Sequence, residues 1–187
     1  MTDPTGRKTG GVFMKKGLKI GLVVLLSGFA GLLAWANAPH ARLPEGTRAD
    51  RLVIEKEKRL LHLYSGDREL RVYPISLGRE PVGAKTREGD NKTPEGFYQV
   101  CEHKRDSSCH RALRVSYPAE KDRALAAQWG VSPGGNIMIH GLLNGLGWIG
   151  RAHRWVDWTA GCIAVTNPEM DELFDVVSSV ATIEIRK

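Results

Sequence analysis

Asn136–Asn167 reads NIMIHGLLNGLGWIGRAHRWVDWTAGCIAVTN, and its two apolar ends decide the fold. Asn136–His140 is a short run closing on histidine, and Ile163–Val165 is a second, β-branched run directly after Gly161-Cys162. Both are strand-like. Gly141–Ala160 between them is rich in glycine and tryptophan and fits neither helix nor strand periodicity, so it reads as an irregular insert.

Working outward, Thr166-x-x-Glu169 with Pro168 is a helix-opening pattern, and a helix runs from it to about Val177. Thr182–Ile185 reads as a closing strand. Upstream, Leu52–Lys56, Leu60–Tyr64 and Glu69–Leu77 are strand-like, the last two joined by the turn Ser65-Gly66-Asp67. Arg79–Gly96 is a loop punctuated by glycine and proline. Phe97–His103 and Ala112–Tyr117 form a hairpin, and Ala119–Gln128 favours helix until Gly130 stops it. The expected fold is mainly β with a few short helices, in one domain over residues 51–187.

With 187 residues, 42% of them hydrophobic and 26% charged, the chain has room for one packed domain and a leader. The net charge of +6 is uneven: residues 1–36 carry +4 of it and the rest +2. No basic stripe remains in the body, which speaks against nucleic acid as a partner. Lys15, Lys16 and Lys19 precede the uncharged run Ile20–Ala36, which ends in Ala34-Trp35-Ala36. This reads either as a secretory signal cut before Asn37 or as an uncleaved membrane anchor. Either places the domain outside the cytoplasm, in the periplasm or on the membrane, after a polar linker over residues 37–50.

Export makes the three cysteines informative. Cys101 and Cys109 flank a polar stretch and either pair or stay reduced. Cys162 is left over, and an odd thiol in an exported protein invites a reactive role. A thiol attacks as thiolate and needs a base or positive partner near neutral pH. His140 ends a strand able to lie beside that of Cys162, and its imidazole can take a proton and return it to a leaving amine. Gly161 leaves room for a substrate carbonyl and bares backbone N–H groups for an oxyanion.

Ile139-His140-Gly141, a glycine-bearing insert and Thr159-x-Gly161-Cys162-Ile163 together resemble the signature of the YkuD-type L,D-transpeptidase catalytic domain. Leu77-Gly78-Arg79, Pro81, Gly83 and Gly89-Asp90-x-Lys92-Thr93-Pro94-Glu95-Gly96 resemble that family's upstream loop. The resemblance covers about residues 50–187 and implies a β-sandwich-type fold. It also implies Cys162 as acylated nucleophile and His140 as base, the latter's second nitrogen held by a carbonyl near Gly141. Gly161 and Cys162 would supply oxyanion donors. The implied substrates are peptidoglycan stem peptides with a dibasic residue followed by D-alanine. The acceptor is a second stem or a wall-anchored protein, and the chemistry needs no metal and no organic cofactor.

Two positions depart from the family. Ala160 stands where histidine is common, and Ala164 where arginine often binds the donor carboxylate. Arg151, Arg154 and His153 in the insert are candidate replacements, since a guanidinium fork suits a carboxylate, and His153 is also a candidate second base. Trp158 is a candidate groove wall with Trp148 and Trp155, two of the three being expected to pack on the core. Thr159 either contacts the thiol region or satisfies a turn. The competing functions are a hydrolase on the same scaffold, a wall-binding module without catalysis, and a metal site built from His140, His153 and Cys162.

Overall fold

The computed structural model describes residues 10–187 apart from His40, with side chains from Lys19 onward; residues 1–9 of the expected leader lie outside the described residues. A helix, α1 (Gly10–Ala36), precedes the domain. Three strands follow, β1 (Ala49–Glu55), β2 (Leu60–Ser65) and β3 (Arg68–Pro74), then the hairpin β4 (Gly96–Ser107) and β5 (His110–Val115). The remaining elements are α2 (Glu120–Gln128), β6 (Met138–His140), a 3₁₀ segment (Gly147–Trp155), β7 (Ile163–Ala164), α3 (Asn167–Val176) and β8 (Val177–Arg186).

The eight strands form one sheet in the order β3-β2-β1-β8-β4-β5-β6-β7. Its two ends curl toward each other, because Ser76, just past β3, bridges to Ala164 of β7, and Gly78 bridges to Thr159. The inner face is apolar: Leu52, Ile54, Leu61, Leu63, Ile139, Ile163 and Ile183 are fully buried. At about 25 cal/mol per Å² of apolar area removed from water, this shared core dominates stability. β8 lies at the centre, parallel to β1 and antiparallel to β4. α3 is capped as its residues suggest, with the Thr166 N–H donating to the Glu169 carboxylate at 3.0 Å.

Three expectations of local structure are corrected, and the state of Cys101 and Cys109, open in the sequence, follows from their placement. The polar stretch after Cys101 is strand as far as Ser107, because this hairpin tip projects into solvent and needs no apolar alternation. Cys109 sits in the hairpin turn, while Cys101 lies beside the Arg114 carbonyl. At ~3.3 Å per residue the six residues from Cys101 to the strand end put the two thiols on the order of 20 Å apart, far beyond bridging distance. All three cysteines are free. β8 begins at Val177 with no loop after α3, and Gly141–Ala160 contains 3₁₀ turns kinked at Gly150.

Candidate active site

β6 and β7 run parallel with Ile139 opposite Ile163 and His140 opposite Ala164. Cys162, one residue before β7, is therefore the diagonal neighbour of His140, which for adjacent strands means about 7–8 Å between Cα positions. Both side chains stand at the edge where the sheet closes. Cys162 is half-buried, its Sγ donating to the Asn136 carbonyl at 3.5 Å. Burial pushes this thiol up from the ordinary cysteine value, and the Met138 backbone N–H and the nearby Lys85 ammonium offset part of that rise.

His140 is buried, and its Nδ1 donates to the Gly141 carbonyl at 2.7 Å. That bond puts the proton of the neutral ring on Nδ1 and leaves the lone pair on Nε2. Burial holds the imidazole below its ordinary value, the Gly141 carbonyl acting in the opposite sense, so the ring is neutral at pH 7. Trp158 meets it edge-on, with centroids 5.7 Å apart. The resting pair is a neutral thiol and a neutral imidazole.

Gly161 has to be glycine. Its φ is +126°, and a Cβ there would stand 2.6 Å from the Lys92 carbonyl oxygen. Gly78 is equally confined, since a Cβ would stand 2.1 Å from the Asn91 oxygen and 3.0 Å from the Gly161 Cα. The Gly78 N–H donates to Thr93 Oγ1 at 3.2 Å. The two sequence blocks thus pack backbone against backbone at the turn that carries Cys162.

The upstream loop is built from buried charge. Lys56 reaches Glu95 at 2.7 Å and the carbonyls of Gly83 and Thr93. Asp90 accepts from Lys85 at 2.7 Å and from the N–H groups of Thr86, Arg87 and Lys92. Burial alone would raise the Asp90 carboxyl, but these partners outweigh it and hold it at about 2. Such a depressed carboxyl stabilises the fold above its unfolded value, and the contribution is lost as pH falls toward 2. Asp90→Ala leaves the buried Lys85 unpaired and is expected to cost about 3 kcal/mol in urea unfolding at pH 7. The gap to the parent protein should narrow at pH 3; an unchanged midpoint at pH 7 would contradict this account of the loop.

The other expected site residues are placed differently. Thr159 Oγ1 accepts the Gly161 N–H at 3.0 Å and donates to the Cys162 carbonyl at 2.8 Å. It therefore clamps the turn and engages the Gly161 N–H, while the Cys162 N–H has no acceptor among the described residues. Arg154 is bound to both oxygens of Glu169 at 2.5 Å, and Arg151 donates to the Ala38 carbonyl at 3.0 Å. Both replacements expected for the missing arginine are thus occupied elsewhere.

His153 is buried across Trp158 from His140, with Nδ1 next to Ser76 Oγ and the Trp158 indole N–H. Burial first, then Arg154, depresses its imidazole to about 4. Its Nε2 has no hydrogen-bond partner among the described residues. Beside it lies an apolar cavity of about 250 Å³, lined by Leu142, Leu146, Ile149, Val156 and Trp158. One of the three tryptophans packs inward where two were expected: Trp158 does, while Trp148 and Trp155 are more than half exposed.

Residue-by-residue reading missed Lys85, a buried cation whose charge favours the thiolate, because nothing in its local sequence separates it from a solvated loop charge. It also missed Asn167, whose Oδ1 accepts the Leu142 N–H at 2.8 Å and holds the chain just after His140. The hairpin turn was missed too: the Cys109 carbonyl lies against Gly141.

Residues 49–185 match the model of the YkuD family, described as the L,D-transpeptidase catalytic domain. YafK of Escherichia coli (strain K12), which carries a provisional L,D-transpeptidase name, is 34% identical over 131 residues, covering 67% of this chain and 46% of the relative. The chain thus spans about half the length of that relative. Among solved structures, the helical cell shape determining protein Pgp2 from Campylobacter jejuni matches with a TM-score of 0.60 at 24% identity, covering 84% of this chain and 55% of that one. Bd1075 from Bdellovibrio bacteriovorus matches with a TM-score of 0.51 at 21% identity, covering 81% and 52%. These two structures share the fold.

Proposed function

We propose that this chain, which belongs to the L,D-transpeptidase catalytic domain family, is a cysteine acyltransferase of the cell envelope that works on peptidoglycan stem peptides. The observation that carries the proposal is the His140 tautomer. With Nδ1 held by the Gly141 carbonyl, the basic nitrogen is Nε2, on a ring registered diagonally to Cys162.

In the proposed reaction, Nε2 of His140 takes the thiol proton as Sγ attacks the carbonyl between the dibasic residue and D-alanine. The oxyanion accepts from the Cys162 N–H. Collapse breaks the C–N bond, His140 returns the proton to the leaving D-alanine amine, and a thioester remains on Cys162. The amine of a second stem, or of a wall-anchored protein, then attacks the thioester, passes its proton to His140 and regenerates the thiol. Water in place of that amine would make the same residues a carboxypeptidase or an endopeptidase.

The test incubates the full chain in detergent with disaccharide tetrapeptide and weighs the products. A dimer lacking one D-alanine is the expected result. A tripeptide alone would assign the hydrolytic reading, and unconverted substrate would overturn catalysis in favour of a wall-binding role.

A further inference from the structure

We propose that α1 is retained as a membrane anchor, and that the 3₁₀ insert beside it is an interfacial platform that beds the domain on the lipid surface. The first observation is the state of the Ala36–Asn37 junction, where a signal would be cut. Ala36 is 3% exposed. Its carbonyl lies so close to Gly150 that a Cβ there would stand 2.2 Å from the oxygen. Asn37 donates from Nδ2 to the Trp148 carbonyl at 2.8 Å, and Arg151 donates to the Ala38 carbonyl at 3.0 Å. Trp35 stacks on Trp155 with centroids 6.1 Å apart and planes 15° from parallel. The insert thus spends its kink glycine, one arginine and one tryptophan on gripping the end of α1, contacts that removal of the helix would erase.

The second observation is what the two elements leave uncovered. Lys19–Ala36 is an 18-residue apolar window of which 6% is buried. At 1.5 Å per residue it is about 27 Å long, close to the ~30 Å hydrocarbon core of a bilayer. Ile20, Leu22–Leu26 and Phe29 are all exposed, so the helix has no polar face to turn to water. Its far end carries Lys15, Lys16 and Lys19, which keeps that end cytoplasmic and puts the domain on the other side. The near end carries Trp35.

Continuity with this helix identifies lipid as the occupant of the insert's exposed face. Trp155 is fixed by its stack at the level of Trp35, where the hydrocarbon ends. Leu143, Leu146, Trp148 and Val156 add exposures of 39–63% on the same insert. Tryptophan and aliphatic side chains at that depth suit the interface, where an indole keeps its N–H in water. Because the insert lies between His140 and Cys162 in sequence, seating it holds the candidate site close to the membrane.

The inference is independent of the reaction catalysed, and its test reads no activity. The full chain, produced in cells and recovered from membranes, is weighed and then reconstituted in vesicles of phosphatidylethanolamine and phosphatidylglycerol with brominated acyl chains, which quench nearby indoles. The expected mass retains α1. Trp148→Phe combined with Trp155→Phe should lower the quenched share of emission by roughly half, since these two and Trp35 are the indoles placed at the interface. Trp129→Phe, at the C-terminal cap of α2, should not lower it. A membrane-derived protein beginning at Asn37 would overturn the anchor. Quenching unchanged by the double replacement would overturn the platform, and protection of the same two indoles in a cross-linkable dimer would assign that face to a second copy of the chain.

Discussion

Cys162→Ala is expected to lower turnover of a disaccharide tetrapeptide by on the order of 10⁴-fold or more while leaving the fold intact. In the proposed mechanism Cys162 carries the acyl group, and removal of a nucleophile typically costs that much or more. The sulfur is half-buried and its polar contacts are weak, a 3.5 Å donation to the Asn136 carbonyl and the Met138 N–H, so its loss should cost no more than about 1 kcal/mol. Cys162→Ser is expected to be nearly as inactive, because a hydroxyl is far harder to deprotonate than a thiol with the same neighbours. Steady-state rates beside thermal unfolding check both, and an active, folded alanine variant would remove Cys162 from the mechanism.

His140→Gln is expected to cost about 10²- to 10⁴-fold in kcat, the usual worth of a positioned proton-transfer group. The pH profile gives the sharper readout. Burial disfavours the imidazolium, so the base becomes protonated only below the ordinary histidine value of about 6.5. The parent rate should hold through that value and fall as pH drops below it, and in His140→Gln this acid limb should vanish. The resting thiol is itself raised, so without the imidazole the variant should recover rate only as alkali ionises Cys162. A variant that keeps the parent profile would show that another group takes the proton.

Both effects depend on a geometry that was partly legible in the sequence. The strand pattern of β1, β2 and β5, the capping residues Thr166 and Glu169, and the two apolar runs flanking the insert are local features, set by alternation and turn chemistry. They were readable because each is decided within a few residues. The family motifs likewise marked Gly78 and Gly161, whose backbones pack so closely that a Cβ on Gly78 would stand 3.0 Å from the Gly161 Cα.

What escaped is set by long-range pairing. Arg154 faces Glu169, fifteen residues on, and Arg151 reaches back 113 residues to Ala38. No periodicity encodes either partner, so an arginine in a glycine-rich insert looks available to a substrate when it is already held. Thr159 shows the same limit at short range, since choosing between thiol and turn needs the backbone direction at Gly161. Trp155 shows the same limit, since the ring it stacks on, Trp35, lies 120 residues upstream on α1. The extent of β4 escaped because its outer half has no core to pattern it.

The central claim is that the Cys162 sulfur carries the acyl group. Full-length protein mixed with a tetrapeptide donor, quenched in acid and digested, tests it by peptide mass mapping. The account predicts an adduct equal to the donor minus D-alanine on the peptide containing Cys162, released by hydroxylamine and absent from Cys101 and Cys109. Product formed at full rate, with no acyl group found on Cys162 at any time, would contradict it.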